Sequence, residues 1–127
     1  MMRALSRCSL ANVKAEIWHN PSCSKSRQAL ELLKATDREI TVVHYLEATP
    51  STERIDEVLA LLGLEPRSLM RTKEPEYQER GLGNSQLSRT DLIRAMVESP
   101  ALIERPVVIT ERGAVIARPP ERVKEVL

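Results

Sequence analysis

A chain of 127 residues with 42% hydrophobic and 29% charged content has the length and make-up of one globular domain, and its core needs no disulfide staple. Nineteen Lys and Arg against eighteen Asp and Glu leave a net charge of +1, which gives no general attraction to nucleic acid or an anionic membrane. With only Trp18, Tyr45 and Tyr77 as aromatics and no apolar run of bilayer length, base-stacking platforms and membrane spans are excluded as well.

Residues 1–14 carry Arg3, Arg7 and Lys14 and no acid, but have no sustained apolar stretch or small-residue cleavage site. They read as a disordered extension before a domain at 15–127. The expectation is a cytoplasmic protein with reduced thiols.

Ala15–Trp18 reads as a strand that ends at His19-Asn20-Pro21, because proline biases Asn20 away from helical angles. Ser24–Ala35 follows as a helix with Ala29, Leu30, Leu32 and Leu33 along one side. Ile40–Leu46, rich in β-branched and aromatic residues, is the second strand, so the opening is a parallel βαβ unit. Thr49-Pro50-Ser51 opens a helix through Ile55, Val58, Leu59 and Leu62 that Gly63 ends. Short helical pieces are expected at Pro66–Met70 and Pro75–Arg80, then a loop at Gly81–Asn84. Ser88, with Asp91 three residues on, starts another helix. Val107–Thr110 and Ala114–Ala117 flank a turn at Glu111-Arg112-Gly113 as a hairpin, and Glu121–Leu127 is expected as a closing helix. A βαβ and a ββα half around one mixed four-stranded sheet, with a helical block inserted at about 50–100, is an α/β fold of thioredoxin-like type.

Cys23 falls between a strand end and a helix start. The first N–H groups of a helix lack partners and the dipole adds positive potential, so a thiolate is favoured there and an oxyanion can be held beside it. Arg27, Lys25 and His19 bring positive or potentially positive charge, and the Ser26 hydroxyl is expected to donate to the sulfur. Other chemistries fail on spacing. A Cys-x5-Arg phosphatase needs arginine where Ala29 stands, and a Cys-x-x-Cys oxidoreductase needs cysteine where Ser26 stands. Cys8, His19, Cys23 and His44 match no zinc-ligand spacing, so no metal is expected, and no Gly-rich phosphate loop is present.

Trp18-His19-Asn20-Pro21-Ser22-Cys23-Ser24-Lys25-Ser26-Arg27 resembles the nucleophile loop of the glutaredoxin-coupled arsenate reductases (ArsC type). The likeness continues through Tyr45-Leu46-Glu47, Leu69-Met70-Arg71, Glu104-Arg105-Pro106-Val107-Val108 and Ala117-Arg118-Pro119-Pro120-Glu121, and is greatest to the shorter members with Cys-Ser-Lys-Ser-Arg. It implies that Cys23 attacks arsenic, that Arg71, Arg105 and Arg118 surround the oxyanion, that Pro106 is cis beside the nucleophile, and that His19 has a supporting role. Guanidinium suits such a site because it stays charged and offers a planar fork of donors. Arg105 and Arg118 each precede a proline at a strand boundary, where a side chain can be aimed at the end of the sheet; Lys25, Lys73 and Arg67 read as solvated charge.

The expected reaction is arsenate reduction through a Cys23 thioarsenate. Glutathione attacks it, glutaredoxin removes the glutathione, and arsenite leaves; both thiols are external reductants, no cofactor is bound, and the protein is a monomer. Two rival readings are a thiol transferase on glutathione mixed disulfides and a non-enzymatic regulator that binds RNA polymerase. The first leaves the basic side chains without a task, and the second typically needs the Cys-x-x-Cys switch that Ser26 removes. Cys8 lies outside the likeness and has no assigned role.

Overall fold

The computed structural model describes residues 14–127. Lys14 already belongs to the first strand, one residue earlier than expected, and the expectations for residues 1–13, Cys8 included, lie outside the described residues. The chain divides into two compact units, one reaching His44 and resuming at Arg105, the other Tyr45–Glu104. No helix among the described residues is long and apolar enough to cross a membrane.

The first unit is a four-stranded sheet of β1 (Lys14–Trp18), β2 (Glu39–Val43), β3 (Val107–Thr110) and β4 (Gly113–Ile116) in the order β2-β1-β3-β4. β1 runs parallel to β2, which requires a crossover, and helix α1 (Ser24–Lys34) supplies it. β3 pairs antiparallel with β1, Trp18 opposite Val107, and β4 with β3. This is the thioredoxin-like arrangement. As an interior strand β1 is buried at Ala15, Ile17 and Trp18. Its Ala15 and Ile17 share a core with Ala29 and Leu33 of α1, Val108, Val115, Val123 and Val126. Ser26, Ala29 and Leu33 fall on the buried stripe of α1 at helical spacing.

Three expectations shift here. β2 ends at Val43 rather than Leu46, because its partner β1 ends at Trp18 and the chain turns into the loop before Pro21. β4 starts at Gly113, whose φ of 135° no side chain would adopt easily, so the hairpin turn is the two residues Glu111 and Arg112. The closing segment Pro120–Val126 is a 3₁₀ helix, not an α-helix. It opens on the second of two consecutive prolines and closes with i to i+3 bonds such as Arg122 N–H to the Pro119 carbonyl, while the Thr110 hydroxyl holds the Val126 carbonyl at 2.5 Å.

The second unit comprises α2 (Thr52–Leu62), a 3₁₀ turn (Pro66–Leu69), α3 (Pro75–Glu79), α4 (Arg89–Glu98) and a 3₁₀ turn (Pro100–Leu102) that the sequence did not signal. Ser51 caps α2 by accepting from the Arg54 N–H, and Gly63 ends it in the left-handed conformation at φ 69°. At α4 the Ser88 hydroxyl accepts from the Asp91 N–H while the Asp91 carboxylate accepts from the Ser88 N–H. α2 and α4 pack together, burying Ile55, Val58, Leu59, Leu92 and Met96. Arg67 is more than solvated charge: its Nε donates to the Leu82 carbonyl at 3.0 Å and its Nη2 to that of Asn84 at 2.6 Å, bracing the loop after α3.

Candidate active site

The loop between β1 and α1 is built by Asn20. Its Oδ1 accepts from the Ser22 N–H at 3.0 Å and its carbonyl from the Cys23 N–H at 3.0 Å, a turn that Asn favours before proline-bounded segments. The Cys23 carbonyl then accepts from the Arg27 N–H at 3.0 Å and α1 begins. Cys23 is thus the residue at the helix cap, with extended φ −99° and ψ 121°, and its sulfur faces the first-turn N–H groups without the close geometry of an oxygen cap.

Two opposed influences set the acidity of this half-buried thiol. Burial is the largest and disfavours the thiolate. Against it act the backbone N–H groups of Ser26 and Lys25, then the charge of Arg105 and a hydrogen bond from its guanidinium. The donors win, and the Cys23 pKa lies below its ordinary value.

Ser26 serves the sulfur through its backbone, not through the hydroxyl as expected. The fully buried hydroxyl accepts from the Asn20 N–H at 3.1 Å and lies 2.6 Å from His19 Nδ1. The one oxygen thus ties the Asn20 backbone to the imidazole ring and fixes the loop against His19. His19 is buried, and burial first, then the charges of His44, Arg27 and Lys34, lowers its pKa and keeps it neutral. Arg27 supports the loop in a way its residue type did not reveal. Its Nη1 turns back to the Pro21 carbonyl at 2.7 Å, so it braces the loop and acts on His19.

Arg105 stands at the start of β3, half-buried, and the Arg105–Pro106 bond is cis, as the resemblance implied. Arg118–Pro119 is cis too. Arg118 is exposed and its Nη1 donates to the Arg105 carbonyl at 3.2 Å, so the two expected oxyanion ligands meet at one short stretch of backbone. Arg71 belongs to the helical unit, where its Nη1 lies 3.0 Å from Glu74 Oε2, its Nε 3.9 Å from Glu104 Oε1, and its N–H donates to the Leu102 carbonyl. Among the described residues no three His, Cys, Asp or Glu side chains converge as metal ligands.

One contributor matches the first-turn N–H groups expected at Cys23, and one was missed. The Lys25 backbone N–H acts on the thiol although its side chain is exposed, a role implicit in its place on the first helical turn. Asn20 organises the loop, and an Asn directly before Pro21 was the available signal.

The ArsC family model matches residues 18–126. The chain is 46% identical over 115 residues to YfgD of Escherichia coli K12, described as uncharacterized, with 90% of this chain and 97% of YfgD covered. It is 42% identical over 113 residues to an arsenate reductase of Neisseria meningitidis, with 88% and 97% covered. An arsenate reductase structure from Vibrio cholerae superposes with a TM-score of 0.87 at 47% identity, covering 91% of this chain and 99% of that one. From the cap-position thiol to the closing 3₁₀ segment, this chain belongs to the ArsC family.

Proposed function

We propose that this protein reduces arsenate to arsenite at Cys23, with glutathione and glutaredoxin as external reductants and no resident cofactor. The observation that carries the reading is a thiol at a helix N-terminus whose pKa is lowered by backbone N–H groups and Arg105 despite burial. Arsenate binds through its oxygens to the guanidinium groups of Arg105 and Arg118, and the resemblance adds Arg71. The Cys23 thiolate attacks arsenic, forming a sulfur–arsenic bond, and one oxygen leaves as water. Arg105 neutralises the oxyanion as charge is redistributed, which is where preorganised donors lower a barrier most. Reduction of arsenic by two electrons consumes two thiols. In this reading both come from outside, one from glutathione and one from glutaredoxin. Glutathione attacks the thioarsenate, the glutaredoxin thiolate then takes the glutathione sulfur as a mixed disulfide while the electron pair stays on arsenic, and hydrolysis releases arsenite and the Cys23 thiolate. Neutral His19 and the Ser26 hydroxyl hold the loop in register without entering the reaction.

The test is arsenate-dependent oxidation of NADPH coupled through glutathione reductase, glutathione and glutaredoxin. Turnover is expected only with every component present. No turnover from a protein whose Cys23 still alkylates rapidly would overturn the reading, and full turnover with thioredoxin alone would overturn its choice of reductant.

A further inference from the structure

The Cys23 site offers two kinds of partner at one point. Hard donors, the guanidinium of Arg105 beside the first-turn N–H groups, suit the oxygens of a tetrahedral anion, while the sulfur is a soft nucleophile open to solvent on one side. An anion that carries oxygens on one side and a displaceable soft atom on the other matches both at once. Inorganic thiosulfate has that form: three oxygens and one outer sulfur on a tetrahedral centre, with two negative charges.

We infer that the cap-position Cys23, with Arg105 beside it and Arg118 fastened to the Arg105 carbonyl, also accepts sulfur from thiosulfate and passes it to an external thiol. The inference shares the nucleophile of the arsenate reading but needs no arsenic chemistry. The thiolate attacks the outer sulfur, a new sulfur–sulfur bond forms at Cys23, and the old one breaks with its electron pair leaving on sulfite. One negative thiolate and one dianion become one negative persulfide and one dianion, so charge balances, no proton moves and no oxidant is consumed. The oxygens stay on the guanidinium side throughout, and the persulfide anion inherits the N–H donors that held the thiolate.

Ser26, not a second thiol, stands one helical turn from Cys23, and its hydroxyl is engaged with His19 and Asn20. Among the described residues Cys23 is the free cysteine, so no thiol of these elements competes for the persulfide sulfur. It persists until an outside thiolate, or cyanide as a small probe, attacks the outer sulfur and restores Cys23.

The experiment incubates the whole protein with sodium thiosulfate, reads sulfite release and the intact mass, then adds cyanide and reads thiocyanate. The same preparation is assayed for arsenate turnover. The expected result is one sulfite per protein, a mass gain of one sulfur on the Cys23 peptide, and thiocyanate on cyanide addition. Cys23→Ser is expected to show none of the three, and Arg105→Lys, which keeps the charge but loses the fork, to release sulfite roughly tenfold more slowly. Arsenate turnover without sulfur gain would overturn this inference alone. Sulfur gain without arsenate turnover would overturn the arsenate reading and leave this one standing, and failure of both would overturn both. A mass gain that survives in Cys23→Ser, or sulfite release unchanged in Arg105→Lys, would also overturn it.

Discussion

Two helix starts in this molecule are built on opposite principles. α4 begins with a reciprocal cap, Ser88 and Asp91 each serving the other's backbone N–H. α1 begins with Cys23 in the same extended conformation, yet its side chain forms no such cap. A first helical turn has N–H groups with no intrahelical partner, and the molecule disposes of them differently in the two places. At α4 they are closed off and hold the helix in place. At α1 they are turned on a sulfur, where they favour its charged form. The difference teaches that a reactive residue can occupy a structural position, and that some stability is given up when it does.

The largest effect comes from converting the second kind of start into the first. Cys23→Ser should abolish arsenate turnover, since the hydroxyl is not a thiolate at neutral pH. It should also raise the denaturation midpoint, because serine is among the best N-caps, with about 1 kcal/mol typically separating it from a non-capping residue. Turnover measured beside urea denaturation checks both; a variant less stable than the parent would show that Cys23 is not merely tolerated at the cap.

Arg105→Lys comes next. Loss of a charge-assisted hydrogen bond of about 1.5–3 kcal/mol is roughly a ten- to hundredfold fall in kcat/KM if felt fully in the transition state. The alkylation midpoint of Cys23 should move up toward the ordinary value of about 8.5, since Arg105 is one of the groups that lower it. Iodoacetamide rates against pH give that midpoint. Arg118→Lys should lose less, because the side chain is exposed and an ammonium can still donate to the Arg105 carbonyl.

The smallest effect lies at α4. Ser88→Ala should cost about 1 kcal/mol of stability and leave turnover unchanged. Asp91 ties that start to pH. The Ser88 N–H and hydroxyl hold its pKa below the ordinary carboxylate value. With the folded value below the unfolded one, the stabilisation is complete above about pH 4 and is lost as pH falls through the folded value. Thermal denaturation from neutral to acid pH, parent against Asp91→Ala, should therefore show a difference that shrinks toward the acid end.

Much of this was readable from the residues. Apolar spacing marked α1 and α2, Ser88 with Asp91 marked the start of α4, and β-branched runs marked β2 and β3, because each is a local signal in the chain. Cys23 was legible for the same reason, lying between a strand end and a helix start. What escaped depends on contacts made across the chain or on side-chain direction. The end of β2 at Val43 is set by where β1 stops, and the 3₁₀ form of Pro120–Val126 goes with the bond between Thr110 and the Val126 carbonyl. Residue type alone placed Ser26 and Arg27 near the thiol but did not reveal that the Ser26 hydroxyl faces His19 or that Arg27 grips the Pro21 carbonyl.

The position of Ser26 bears on the evolutionary neighbourhood of this chain. A single replacement, Ser26→Cys, would write a two-thiol motif into the loop, and on paper it is the shortest route from one redox style to another. In the folded molecule that oxygen is wholly buried and joins Asn20 to His19. Sulfur is larger and a poorer partner for both, so the new thiol would arrive with two weakened buried contacts and an unsettled loop. A lineage crossing that step would have to remodel residue 19 or residue 20 as well. The single-thiol character is thus guarded by packing, and it is inherited as a set of neighbours rather than as one letter.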